Sequence, residues 1–222
     1  MSDPRWTAVD DYIVGHLLGD DRVQEATLAA NAAGGLPEID VSATQGKMLH
    51  LFARMAGARR ILEVGTLGGY STIWLARALP DDGVLVTLEL EPHHAAVARA
   101  NIAHAGFDER VDVRVGAAVD TLHAMIAAGE PPFDLIFIDA DKLSNVAYLN
   151  AALALSRPGT TIVVDNVVRE GGILDASGTD DRIEGSRRLF EAVAVEPRLS
   201  ATAVQTVGAK KWDGFLLALV GS

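Results

Sequence analysis

The chain has 222 residues, enough for one α/β domain with a sizeable core, and nothing in it demands a second. Its formal net charge of −11 repels polyanionic partners such as nucleic acid, and the basic pairs Arg59-Arg60, Arg187-Arg188 and Lys210-Lys211 are too scattered to form a patch. The lack of cysteine excludes disulfides and thiolate metal sites, and no stretch approaches the ~18 apolar residues of a membrane helix. No apolar run follows Met1 to Trp6, so no signal peptide is expected there. A soluble cytoplasmic protein with no membrane segment is the expectation.

Three helical patterns come first, over 6–18, 21–33 and 44–56, separated by Gly19-Asp20 and Gly34-Gly35-Leu36-Pro37. Strand-like runs at 60–64, 84–88, 111–115, 135–138 and 161–164 then alternate with helical runs at 71–79, 92–105, 117–127 and 145–155. Such alternation predicts right-handed βαβ units and a mostly parallel sheet with helices on both faces. After a helix over 181–195, apolar runs at 200–205 and 215–220 flank a polar link, 208–214, which predicts a hairpin and an antiparallel last strand. Residues 170–181 hold three glycines and four acidic side chains and are expected to form a mobile loop.

The chemistry-bearing residues sit where strands should emerge from the sheet. A buried strand cannot hold ionised carboxylates in its interior, so Asp139 and Asp141 of Phe137-Ile-Asp-Ala-Asp-Lys142, and Asp165 of Val163-Val-Asp-Asn166, belong at strand C-terminal ends. Open α/β sheets bind ligands at that edge. Asp139, Asp165 and Asn166 offer only oxygen, which suits Mg²⁺, Mn²⁺ or Ca²⁺ rather than zinc. The competing reading makes both aspartates helix caps. Lys142 is one of four lysines against fifteen arginines, and beside a cation it would be usable as a base. The competing reading pairs it with Asp141.

The loop Glu63-Val-Gly65-Thr66-Leu-Gly68-Gly69-Tyr70-Ser71 lets a ligand approach the backbone. It departs from G-x-G-x-x-G at Leu67 and Tyr70, which argues against a nicotinamide oxidoreductase. Glu63 would welcome a cationic amine, and Glu89, roughly 20–25 residues after the loop, would accept both hydroxyls of an adenosine ribose, with Glu91 the competing candidate. The six histidines show no metal-site spacing and are expected in solvated or packing roles.

Together with Trp212-Asp213-Gly214, these motifs resemble the cation-dependent O-methyltransferases, the family of the caffeoyl-CoA and catechol enzymes, from about Val41 onward. The resemblance implies a Rossmann-like seven-stranded sheet with a reversed last strand, S-adenosylmethionine as methyl donor, and a homodimer. It implies extra N-terminal helices, 1–40, capping the active site of a methyltransferase domain over 41–222. By motif position Asp139, Asp165 and Asn166 are the metal ligands and Lys142 the base. Val41, Glu63, Gly65, Thr66, Ser71, Glu89, Ala118, Asp139 and Asp141 fall where the family contacts the cofactor. The expected reaction is methyl transfer to one hydroxyl of a vicinal dihydroxy aromatic, a small phenolic substrate. The alternatives are 5-hydroxyuridine methylation in tRNA, which the acidic composition opposes, and a non-catalytic cofactor-binding protein, which the intact Asp139/Lys142/Asp165/Asn166 set opposes.

Overall fold

A computed structural model describes residues 3–175 and 180–221. Helices α1 (Pro4–Leu17), α2 (Arg22–Ala33) and α3 (Ala43–Met55) come first, followed by β1 (Arg60–Val64), α4 (Tyr70–Ala76), β2 (Val84–Glu89) and α5 (Pro92–His104). Then come β3 (Val111–Val115), α6 (Ala118–Ala127), β4 (Phe133–Ile138), α7 (Asn145–Ala154) and β5 (Ser156–Asp165). A 3₁₀ segment (Arg169–Leu174), α8 (Asp181–Val195), β6 (Leu199–Gly208) and β7 (Lys211–Val220) complete the chain. The leading helices start where sequence chemistry allows: Asp3, Asp21 and Ser42 each accept a backbone N–H in the first turn.

The seven strands are ordered β3-β2-β1-β4-β5-β7-β6. All pairs from β3 to β5 are parallel, and β7 runs antiparallel between β5 and β6, as the hairpin signal predicts. The chain winds outward from β1 to β3 and returns to pair β4 with β1, so the switch point lies between β1 and β4, where such sheets bind ligands. Side chains alternate between two apolar layers. Leu62, Val64, Ile136 and Ile138 pack with Leu122, Tyr148 and Leu189 on one face. Ile61, Leu135 and Phe137 pack with Leu49, Trp74 and Leu75 on the other.

Three stretches differ from expectation. β5 starts at Ser156, not 161, because Ser156 pairs with Phe133 across a register shift; Pro158 and Gly159 disguise that extension as a loop. The polar link at 208–214 is mostly strand: Thr206 pairs with Asp213 and Gly208 with Lys211, leaving only Ala209 and Lys210 as the turn. A ladder is held by backbone hydrogen bonds, so side-chain polarity on an edge hairpin does not mark its end. The 170–181 loop contains the 3₁₀ segment and the first residue of α8, and 176–179 lie outside the described residues. Strand β6 is exposed along its length. Among the described residues, no helix is long and apolar enough to cross a membrane.

Candidate active site

The two motif-bearing strand ends are joined through their backbones. Asp139 N donates to Val64 O at 2.8 Å across the β1–β4 switch point. Gly65 follows with φ +100°, and a Cβ there would collide with the Asp139 carbonyl oxygen, so only glycine lets the loop pass. The glycine loop and the Asp139 segment therefore form one rigid unit.

Glu63 is fully buried. Its carboxylate accepts hydroxyl protons from Ser71 at 2.6 Å, Thr72 at 2.5 Å and Thr87 at 2.7 Å. Burial pushes its carboxyl up to about 7, against the pull of those three donors. The welcome expected for a cationic amine at Glu63 thus meets a carboxylate turned inward and absent from the cavity wall; Ser71 stands between it and the cavity.

Glu89 is nearly buried, with one oxygen accepting from Thr66 N at 3.2 Å and Leu67 N at 2.7 Å, and the other from Glu91 N at 3.0 Å. These bonds hold Leu67 in the left-handed region, φ +49°, where the sequence departs from the dinucleotide fingerprint. His94 Nδ1 stands 3.5 Å from Glu89 and its residue lines the cavity, contrary to the bland role expected of the histidines.

At the end of β4, Lys142 Nζ donates to Asp139 Oδ1 at 2.9 Å. The pairing with Asp141 is not formed: Asp141 accepts from Ser144 N at 3.0 Å and Tyr148 Oη at 2.5 Å. Burial works to raise the Asp141 carboxyl, but the bonds from Tyr148 and Ser144 prevail and hold it below the usual range. Lys142 is buried, its carbonyl so close to α8 that a Cβ on Gly185 would strike it. Neither aspartate is a helix cap, because Ser144 caps α7 and Val168 precedes the 3₁₀ segment.

Asp165 ends β5 at 3% exposure, beneath the cavity rather than on its wall. Burial first, then the negative charge of Asp139, pushes its carboxyl up; Lys142 and hydrogen bonds from Asn166 N and Gln45 oppose. Asn166 follows at φ +54° and reaches the wall. A buried carboxylate raised by a second one is a pair that an added cation would relieve. Among the described residues no three His, Cys, Asp or Glu side chains converge as a metal cluster. The set here is two carboxylates and a carboxamide, all oxygen, which fits a hard divalent cation with positions left for other ligands.

One cavity of about 620 Å³ runs along this edge. Val41, Gly65, Thr66, Ser71, Glu89, Ala118, Asp139, Asp141, Lys142 and Asn166 line it, so of the expected cofactor, cation and base residues Glu63 and Asp165 sit behind the wall. Asp40, Tyr148 and Arg169 line it too and escaped sequence reasoning. Tyr148 is hidden in an apolar helix pattern, and Arg169 in a segment that reads as loop. Trp212, of the Trp212-Asp213-Gly214 motif, lies off the wall.

A seven-stranded sheet of this order, with a glycine loop and a strand-end carboxylate facing one cavity, defines a Rossmann-like class I methyltransferase. A sequence profile of the O-methyltransferase family matches residues 20–219, and the chain belongs to that family. It is 55% identical over 212 residues to a catechol O-methyltransferase of Mycobacterium tuberculosis, covering 96% of this chain and 94% of that protein. The crystal structure of an O-methyltransferase from Bacillus cereus in complex with SAH superposes with a TM-score of 0.96 at 54% identity, covering 98% and 99% of the two chains. The O-methyltransferase TomG from Streptomyces achromogenes, solved in complex with SAM, gives 0.96 at 47% identity and full coverage of both. The protein is an S-adenosylmethionine-dependent O-methyltransferase.

Proposed function

We propose that the protein methylates one hydroxyl of a vicinal dihydroxy aromatic, with a divalent cation held by Asp139, Asp165 and Asn166 and with Lys142 as the base. The observation that carries this reading is the buried Lys142 amine bonded to Asp139 on the cavity wall, with Asp165 raised beneath it. The catechol named for the Mycobacterium tuberculosis relative supports the acceptor class.

A free phenol titrates near 10, and a cation at this place would supply the charge that lets it ionise at neutral pH. Lys142 Nζ, buried and directed at Asp139, takes the hydroxyl proton on the lone pair of its neutral amine form. The acceptor oxygen then attacks the donor methyl in line with sulfur, the C–O bond forming as the S–C bond breaks. The rigid β1–β4 unit supplies alignment, an effect that contributes on the order of 7–11 kcal/mol when fully realised. Residues 37–41, between α2 and α3, close one side of the cavity and suit the N-terminal segment to a capping role. The same reading carries a homodimer working in the cytoplasm. Strand β6, exposed and free of charged side chains, is an edge that a second copy would cover.

The test is turnover of catechol with S-adenosylmethionine before and after EDTA, then with Mg²⁺ restored. Turnover lost and regained is expected; undiminished turnover in EDTA would sink the metal role. Methylation of tRNA with no turnover of any catechol would move the substrate to hydroxyuridine.

A further inference from the structure

The motif Trp212-Asp213-Gly214 does not line the cavity, yet its three side-chain positions all act on the segment that follows Asn166. Four of the six residues after Asp165 have left-handed backbone: Asn166 at φ +54°, Arg169 at +55°, Glu170 at +52° and Gly171 at +84°. Such a run persists only where surrounding structure over-determines it. One carboxylate oxygen of Asp213 accepts backbone N–H groups from Val168, Arg169 and its own neighbour Gly214, each at 3.0 Å. Its other oxygen faces Arg169 Nη1 at 3.7 Å. Val167 N donates to Gly214 O at 3.0 Å, so the anchorage begins at the residue next to Asn166.

The flanking positions explain themselves by contact. A Cβ on Gly214 would strike Val204 O and lie 2.7 Å from Val168 Cγ2, so glycine is needed for the turn to sit on β7. A Cβ on Gly171 would lie 2.9 Å from the Trp212 ring, which therefore backs the far end of the segment. β7 enters the sheet beside β5 with Phe215 opposite Asp165, which brings Asp213 to the edge where the proposed cation ligands emerge.

We propose that Asp213 is a positioning residue for the cation site, fixing the turn that presents the Asn166 carboxamide beside Asp165. This rests on the cation reading of Asp139, Asp165 and Asn166. Outer groups that orient ligands govern metal affinity by roughly 10- to 100-fold when removed. Asp213→Ala frees three N–H groups and releases the turn, whereas Asp213→Asn retains one oxygen acceptor and loses the charge. The glycine loop and Glu89, which serve the cofactor, lie on β1 and β2, across β4 and β5 from β7.

The experiment titrates Mn²⁺ into the purified full-length protein by electron paramagnetic resonance, with S-adenosylhomocysteine affinity by calorimetry as the control. Asp213→Ala is expected to weaken Mn²⁺ binding about tenfold or more. Asp213→Asn should fall between it and the wild type, both variants keeping S-adenosylhomocysteine affinity within about twofold. Unchanged Mn²⁺ affinity in a variant that still binds S-adenosylhomocysteine overturns the role of Asp213 alone. Equal losses of both affinities also overturn it, since they mark a general structural defect. If Asp213→Ala does not fold, Asp213→Asn carries the same comparison. Absence of Mn²⁺ binding by the wild type overturns the cation reading itself.

Discussion

Glu63→Gln tests how the interior supports the glycine loop. The substitution is nearly isosteric, and the amide can serve the same neighbours: its oxygen accepts from Thr72 and Thr87, and its nitrogen donates to a rotated Ser71 hydroxyl. What changes is titration. Glu63 rises from 4.5 to about 7 on folding, because burial disfavours its charge more than the three hydroxyls favour it. A raised carboxyl binds its proton more tightly in the folded chain. Between about pH 4.5 and 7 the unfolded chain therefore holds fewer protons, and stability falls as pH rises through that window. The whole shift corresponds to roughly 3 kcal/mol of differential interaction. Glutamine does not titrate, so the variant should match the wild type near pH 4.5 and exceed it by about 1–3 kcal/mol at pH 8. Urea unfolding across pH 4.5–8.5, in EDTA and without cofactor, measures the difference. Taking that difference cancels the slope from Asp165, raised in both proteins. A stability difference independent of pH, or one that grows toward low pH, would refute the account of Glu63.

Two further outcomes follow from the site. Lys142→Met should lower kcat for catechol by about 10²- to 10⁴-fold at neutral pH while S-adenosylhomocysteine affinity holds; turnover within threefold of wild type would remove Lys142 as the base. Gly65→Ala places a methyl against the Asp139 carbonyl at φ +100° and should lower stability by at least about 2 kcal/mol in urea unfolding, with loss of S-adenosylhomocysteine binding.

The strand ends were the legible part of this chain. Asp139, Asp165 and Asn166 follow apolar β-branched runs, and the cost of burying charge within a strand is enough to locate them at the sheet edge. β1 and β3 coincide with their sequence signals, whereas β5 hides its first five residues behind Arg157-Pro158-Gly159. Which way a carboxylate faces was not legible. Glu63, one residue before the end of β1, and Glu89, at the end of β2, flank the same loop, yet Glu63 turns to hydroxyls from α4 and β2 and leaves the cavity wall. Its partners lie 8, 9 and 24 residues away, set by packing rather than local pattern. Lys142 likewise takes Asp139 in place of the adjacent Asp141, because Tyr148, one turn into α7, has claimed Asp141. The work of Asp213 was invisible for the same reason: the N–H groups its carboxylate accepts lie 45 and 44 residues away in sequence, just beyond the partner strand β5.

The backbone bond from Asp139 to Val64 divides the site into parts with different freedom to change. The glycine loop and the Asp139–Lys142 segment share one pair of strands in mid-sheet, and an insertion in either would shift one against the other. Of the remaining walls, residues 166–169 are bonded to β7 through Val167, Val168 and Arg169, whereas residues 37–41 form a connecting segment between α2 and α3. New acceptors can therefore be accommodated by changing the 37–41 wall, with the reacting geometry left intact. For redesign, that makes the 36–42 segment the place to graft, and the β1–β4 seam and the turn after Asp165 the places to leave alone.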